Sequence, residues 1–530
     1  MNYQLNTLLA SAIAGALGLA VVGNAHAAGG YGAPVVTTAQ HGTLHSLRGA
    51  MFRPDDFAKG GHGHPVHPLP FLDGPGNQVD ARVQGTASGP AAPAFGAGFP
   101  GLGNGFSTFV VNSAPPDTSG AMGATQYVQV VNSGLAVFSK SGAVLMGPVP
   151  TSTLFQGMTG PCHDDNDGDA TVVYDKAAGR WVVSQFAVTA SPYFECVAVS
   201  VTSDATGAWN TYSFPYGTSF PDYPKMGVWP DAYYTTFNMF NGNTFAGAKL
   251  CAYDRAKMLA GAALVTQQCY QLSTSYGGVL PADLDGATAP PVGSPNYLLN
   301  FGASSLNMWK FHVDWASSAN STLAGPTSIP VATFATACGG GTCVPQLGVT
   351  QKLDSLGDRL MYRLAYRNFT GTGAHESLVV SHSVKVGATR KDQHTGIRWY
   401  EIRTPATPTV YQQSTFSPDT TFRWMPSIAM DKVGNIAVGY SASSSLINPS
   451  IRYTGRLVTD TLSTLQPEAT MLNGLGSQTG SNLARWGDYS TMTVDPVDDC
   501  TFWYSTEYLR QNGAFNWSTQ IASFKYPNCN

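Results

Sequence analysis

The 530-residue chain carries 28 Lys+Arg against 32 Asp+Glu, a net charge of -4, and only 11% charged residues, against about 25% in ordinary soluble domains. That balance gives neither nucleic acid nor an anionic membrane surface a reason to bind, and both are excluded as expected partners. With 58 Gly, 34 Pro and 11% aromatic residues the composition suits turn-rich β structure.

The chain opens on "LLASAIAGALGLAVV" (8–22), an apolar run short for a bilayer span, followed by the small-x-small site "AHA" at 25–27. Residues 1–27 read as a signal peptide, although "MNYQLNT" lacks the usual Lys or Arg. No later apolar run is long enough to span a membrane, so the expected product is secreted or periplasmic. Eight cysteines in an exported chain make four disulfides the simplest expectation. Sequential pairing gives Cys162 with Cys196, Cys251 with Cys269, Cys338 with Cys343, and Cys500 with Cys529.

Residues 28–104 are rich in Gly, Ala, Pro and His and read as a flexible leader, dispensable for folding. Its "HGHPVHP" brings His62, His64 and His67 close in sequence, but without a Cys or carboxylate cluster it reads as a polar linker.

From 105 to 530 the pattern becomes that of strands. "QYVQVVNSGLAVFSKSG" holds two β runs about Asn132 to Gly134, "ATVVYDKAAGRWVVSQFAV" turns at Lys176 to Gly179, and "SIAMDKVGNIAVGYS" repeats that layout. "PDYPKMGVWPDAYYTTFN" and "GDYSTMTVDPVDDCTFWYS" share a further phrase. Repeat starts near residues 124, 168, 222, 283, 351, 423 and 486, with several strands per unit, are those of a β-propeller of seven blades, six being the alternative. The last unit holds three strands of its own, so an N-terminal strand must close it, and "FSTFVVN" at 106–112 is the expected donor.

The phrases "PPDTSGAMGATQYVQVVN", "DRLMYRLAYRNF", "HESLVVSHSV" and "GIRWYEIR", in this order, resemble a family of large secreted bacterial proteins. The resemblance spans about residues 100–530. It implies export and a propeller and nothing about chemistry.

In a propeller the residues preceding each innermost strand lie at a mouth of the central channel, where ligands bind. Asp222, Tyr223 and Lys225 of "PDYPK" and Asp488 and Tyr489 of "GDYST" are therefore expected to converge there, with Asp169, Asp283 and Asp285 at equivalent places. The plain alternative is that the aspartates cap turns and the tyrosines pack between blades. Arg423–Trp424 and Arg485–Trp486 each set a charged fork beside a flat apolar face, suited to a sugar or a carboxylated ligand, or to ordinary packing. "DDNDGD" offers Asp165, Asp167 and Asp169 as hard oxygen ligands for Ca2+, without EF-hand spacing, and otherwise as a solvated loop.

The arginines of "DRLMYRLAYRNF" share one strand face but fall about 13 Å apart, so Arg359, Arg363 and Arg367 should pair with separate acidic neighbours. No H-E-x-x-H, G-x-S-x-G or P-loop occurs, and "SDATGAW" misses the sialidase Asp-box spacing. Two functions follow. One is a secreted propeller that binds a glycan, protein or cell-surface polymer at its channel mouth; the other is a sialidase-like or other propeller glycosidase with paired mouth carboxylates.

Overall fold

The computed structural model describes residues 30–51, 57, 67, 69, 80–87, 89, 93–403, 406–480 and 483–530. The signal peptide, His62 and His64 fall outside them. Among the described residues no helix is long and apolar enough to cross a membrane.

The chain is nearly all β. Seven antiparallel meanders follow one another, over 119–150, 171–217, 220–271, 280–330, 361–416, 422–472 and 491–525. Their first strands are Ser119–Met122, Thr171–Asp175, Phe220–Val228, Leu280–Leu284, Met361–Phe369, Phe422–Met430 and Thr491–Val494. Each first strand lies against the next, and the seventh lies against the first. The fourth and fifth pair in parallel, joining their meanders into one nine-stranded sheet.

Apolar residues alternate toward the spaces between meanders, so the core is divided into slabs. One slab, with Trp181, Trp209 and Val128, lies between the first and second sheets, and another, with Tyr453, Tyr504 and Phe524, between the sixth and seventh. Polar side chains pin the first strands together. Val172 N–H donates to Ser119 Oγ at 3.1 Å, Met492 N–H to Ser427 Oγ at 2.9 Å, and Val228 N–H to Asp283 Oδ1 at 2.9 Å.

The leader is not loose where it is described. β1 (Val35–Thr38) pairs with Thr266–Gln271 at the edge of the third sheet, and β2 (Gln40–Leu44) with Trp209–Gly217 of the second. β3 (Val83–Gln84) pairs in parallel with Thr409–Phe416, and β4 (Ala94–Gly103) antiparallel with Trp517–Lys525. The seventh sheet is thus completed by β4, not by 106–112, which form no strand. β4's sequence, "AFGAGFPGLG", has no β-branched residue, and its backbone comes close to its neighbours. A Cβ on Gly101 would collide with Gln129 and Thr519, and the space left lets Leu102 N–H reach Gln129 Oε1 at 2.8 Å.

All four disulfides pair as expected: Cys162–Cys196, Cys251–Cys269, Cys338–Cys343 and Cys500–Cys529. Each closes a local loop, and Cys251 and Cys269 face each other across adjacent strands. They suit an oxidising compartment.

Candidate functional site

The first strands run the same way, so each end of the bundle collects one set of residues. At the entry end, before or at the start of these strands, lie Asp117, Asp169, Asp222, Tyr223, Lys225, Arg359, Arg485, Asp488 and Tyr489. In five sheets the residue two positions before regular pairing starts or resumes has a left-handed backbone: Asp117 (φ 47°), Asp169 (45°), Tyr223 (58°), Gly278 (59°) and Met425 (51°). For the four that are not glycine this costs about 1–2 kcal/mol each, held by the surrounding contacts.

The two quoted phrases do meet here. Lys225 Nζ is sandwiched between the rings of Tyr223 and Tyr489, 3.1 and 3.4 Å from their centroids, and donates to Pro224 O at 3.1 Å. Arg359 Cζ lies 4.6 Å from the Tyr223 ring. The Tyr489 hydroxyl donates to Asp169 Oδ2 at 3.1 Å, and Asp488 N–H to Asp117 Oδ1 at 2.7 Å. Arg485 pairs with Asp488, and Arg359 with Asp358 at 2.7 Å. Asn132 knits the floor, receiving Asp169 N–H on Oδ1 at 2.8 Å and donating to Asp117 Oδ2 at 2.7 Å.

This end is filled. Tyr223, Tyr489, Trp424 and Trp486 are buried in one cluster with Val344, Leu353 and Leu356, which belong to or directly follow the ribbon Thr342–Gln346/Val349–Asp354. The leader adds His67, 5.5 and 4.7 Å from the rings of Phe220 and Phe240, and Leu69, whose N–H donates to Asp358 Oδ2 at 3.3 Å. Burial pushes the Lys225 ammonium well below the usual lysine range, against the charges of Asp169, Asp488 and Asp117. Burial likewise raises Asp117, assisted by Asp488 and Asp169, and lifts Glu507 to about 8, where it accepts Gly487 N–H at 2.9 Å. Asp222 is partly exposed, and burial and the Asp169 charge raise it to about 7.

Several expected ligand contacts are structural instead. Arg423 grips Glu468 with two bonds of 2.9 Å and Asp419 at 3.0 Å, and Trp424 is packed beside Trp486, whose Nε1 donates to Ser441 Oγ at 3.1 Å. Asp283 and Asp285 are not at this mouth. Asp283 receives Val228 N–H, and Val228 lies six residues beyond Asp222, about 20 Å along an extended strand. The proposed calcium ligands do not converge either. Asp167 accepts Val188 N–H at 2.6 Å and Thr189 N–H at 2.8 Å, while Asp169 faces Tyr489. Among the described residues no group of three His, Cys, Asp or Glu could hold a metal ion.

The arginines of the fifth sheet descend the middle of the bundle, each meeting its own acids as their spacing requires. Arg363 donates to Asp283 at 2.7 Å, Asp285 at 2.8 Å and Met492 O at 2.7 Å. Arg367 is bidentate to Asp499 at 2.6 and 2.8 Å. Burial opposes ionising Asp285, but Arg363, Lys176 and Arg367 together hold its carboxyl below the usual range.

At the exit end a cleft of about 580 Å³ opens. Six of the seven sheets line it at or just beyond the ends of their initial strands: Ala124 in the first, Tyr174 to Ala177 in the second, Val228 to Pro230 in the third, Leu284, Gly286, Ala287 and Ala289 in the fourth, Lys432 in the sixth, and Pro496 to Asp499 in the seventh. Asp175 is held by Arg255 at 2.6 and 3.0 Å and by the Tyr233 hydroxyl at 2.9 Å. Asp498 caps its own turn through Cys500 and Thr501 N–H, both at 2.9 Å. Lys176, less than one-fifth exposed, makes a 3.3 Å contact with Asp285. Sequence reasoning missed this end because it looked before the strands rather than after them. The signal was present in the repeated Asp-Lys turns "YDKAAG" and "MDKVGN", which place Lys176 and Lys432 alike in two sheets.

No family model matches the chain, and no curated protein matches it. Among solved structures, it is similar to an exo-β-1,3-galactanase from Clostridium thermocellum at 11% identity, over 81% of this chain and 97% of that one, TM-score 0.31. An α-L-arabinofuranosidase from Lactobacillus brevis aligns at 12% identity over 68% and 91%, TM-score 0.29. A polysaccharide lyase, an ulvan lyase, aligns at 12% identity over 80% and 96%, TM-score 0.31. Such low identity and superposition carry no residue across to this chain.

Proposed function

We propose that the seven sheets are the blades of a closed propeller, and that the chain is an exported binding protein that takes an extracellular glycan at the exit-end cleft. The observation that carries this reading is the convergence of six sheets on one open cleft of about 580 Å³, within the range of small-ligand sites. Its walls combine the partly exposed ring of Tyr174 with Pro230 and Val497, and its charged groups are held rigidly as Asp175–Arg255 and Arg367–Asp499. Fixed donors and acceptors beside an apolar wall suit a polyhydroxylated ring. The carboxylates there are engaged in ion pairs or turn caps, an arrangement for holding a ligand rather than for moving a proton.

A second reading, a glycosidase at the entry end, is favoured by Asp222: a partly exposed carboxyl raised to about 7 beside Asp169 could serve as a general acid. A glycan array run beside a panel of chromogenic glycosides decides between them. Binding without turnover is expected across the panel. Turnover that falls as pH rises through about 7, and is lost in Asp222→Asn, would instead establish the acid, since the proton it donates leaves in that window.

A further inference from the structure

We infer that the cleft at the exit end is built for an organic anion, and that the sugar it takes carries a carboxylate; this rests on the glycan reading of the same cleft. The argument is a census of charge. Asp175 is matched by Arg255, Asp499 by Arg367, and Asp498 by its turn and by Lys525 at 3.1 Å. Asp283 and Asp285, beneath the cleft, share Arg363 at 2.7 and 2.8 Å, and Asp285 also faces Lys176 at 3.3 Å. Each cleft carboxylate therefore has its cation or its donors already.

The cations are not all matched in return. Lys432 sits in the turn after Met430, its backbone N–H given to Asp499 O at 2.9 Å, and its ammonium has no ion-pair partner among the described residues. Lys176 has only its share of Asp285. Burial and the neighbouring Arg367 and Arg363 work against its charge, and it stays below the usual lysine range despite Asp285. An incoming carboxylate would satisfy the spare N–H donors of both lysines. A neutral sugar would leave the Lys432 ammonium without a counter-ion. The apolar walls at Tyr174 and Pro230 make a bare inorganic anion a poor match.

The test is calorimetric titration of the full secreted chain at low salt with sodium D-glucuronate, with D-glucose as its neutral counterpart and with sodium sulfate. Glucuronate is expected to bind at least tenfold more tightly than glucose and than sulfate, and to weaken as salt rises. Lys432→Met, an exposed substitution that leaves folding intact, should bring glucuronate to within threefold of glucose, and Lys432→Arg should restore the difference. Glucose and glucuronate binding equally in the wild type would overturn the anion inference and leave the glycan reading standing. Sulfate binding as tightly as glucuronate would overturn the organic part of the inference. Binding of neither sugar would overturn the reading of the cleft itself.

Discussion

Deletion of residues 93–104 is expected to convert a soluble protein into an aggregate. The seventh sheet has three strands of its own, and β4 covers the edge of Trp517–Lys525. Without it that edge is a template for another chain. The loss is also one of burial: Phe99 and Leu102 are core residues between the seventh and first sheets, contributing about 1.5–3 kcal/mol each. Added to the lost ladder, this approaches the whole stability of an ordinary domain, about 5–15 kcal/mol. Deletion of 28–49 makes the control. It removes β1 and β2, edge strands on sheets that keep four strands each, and should leave a soluble protein with a lower melting temperature. Soluble yield and gel filtration decide the matter; equal solubility of the two truncations would show that β4 closes nothing.

The second large effect is expected at Arg363. Its guanidinium is buried and answers two carboxylates of the fourth sheet and a backbone carbonyl of the seventh. Burial already raises Asp283 despite that arginine. Arg363→Met would leave Asp283 without its cation, and removal of one partner from a buried pair costs about 3–5 kcal/mol. Thermal and denaturant melts should show a loss of that size. Adding Asp283→Asn to Arg363→Met should recover part of it, because the stranded charge is gone. A loss below 1 kcal/mol, with no recovery in the double variant, would mean that the arginine fills space without carrying charge.

Much of the strand pattern was legible because alternation and turn residues announce it. The turn at Lys176 to Gly179 separates Thr171–Asp175 from Arg180–Ala187, as expected, and the last unit has three strands of its own, as expected. Cysteine pairing followed chain order because each bridge closes a local loop. The arginine spacing of the fifth sheet foretold separate acidic partners.

What stayed hidden has physical reasons. β4 is written in glycines, chosen for close approach rather than for β propensity, so it read as linker. The leader's β1 and β2 are edge strands with exposed faces and no alternation to notice. Asp169, Tyr223 and Met425 have left-handed backbones that no residue type betrays. The fifth repeat was placed near 351 because the ribbon before it, Val349–Asp354, is itself a strand, whereas the sheet begins at Met361. That same ribbon fills the entry end and turns expected ligand-binding tyrosines into core. Arg423 and Trp424 gave no sign in sequence that Glu468 and Trp486 would claim them.

The most direct measurement is glycan-array binding by two variants, one at each end. Ala287 is exposed and lines the cleft, so Ala287→Trp should fold normally and fill the space a ligand needs. Array signal is expected to fall at least tenfold in Ala287→Trp and to persist in Asp222→Asn, with both melting like the wild type. Undiminished binding by Ala287→Trp together with loss in Asp222→Asn would contradict the account, and would move the site to the end that the ribbon and leader cover.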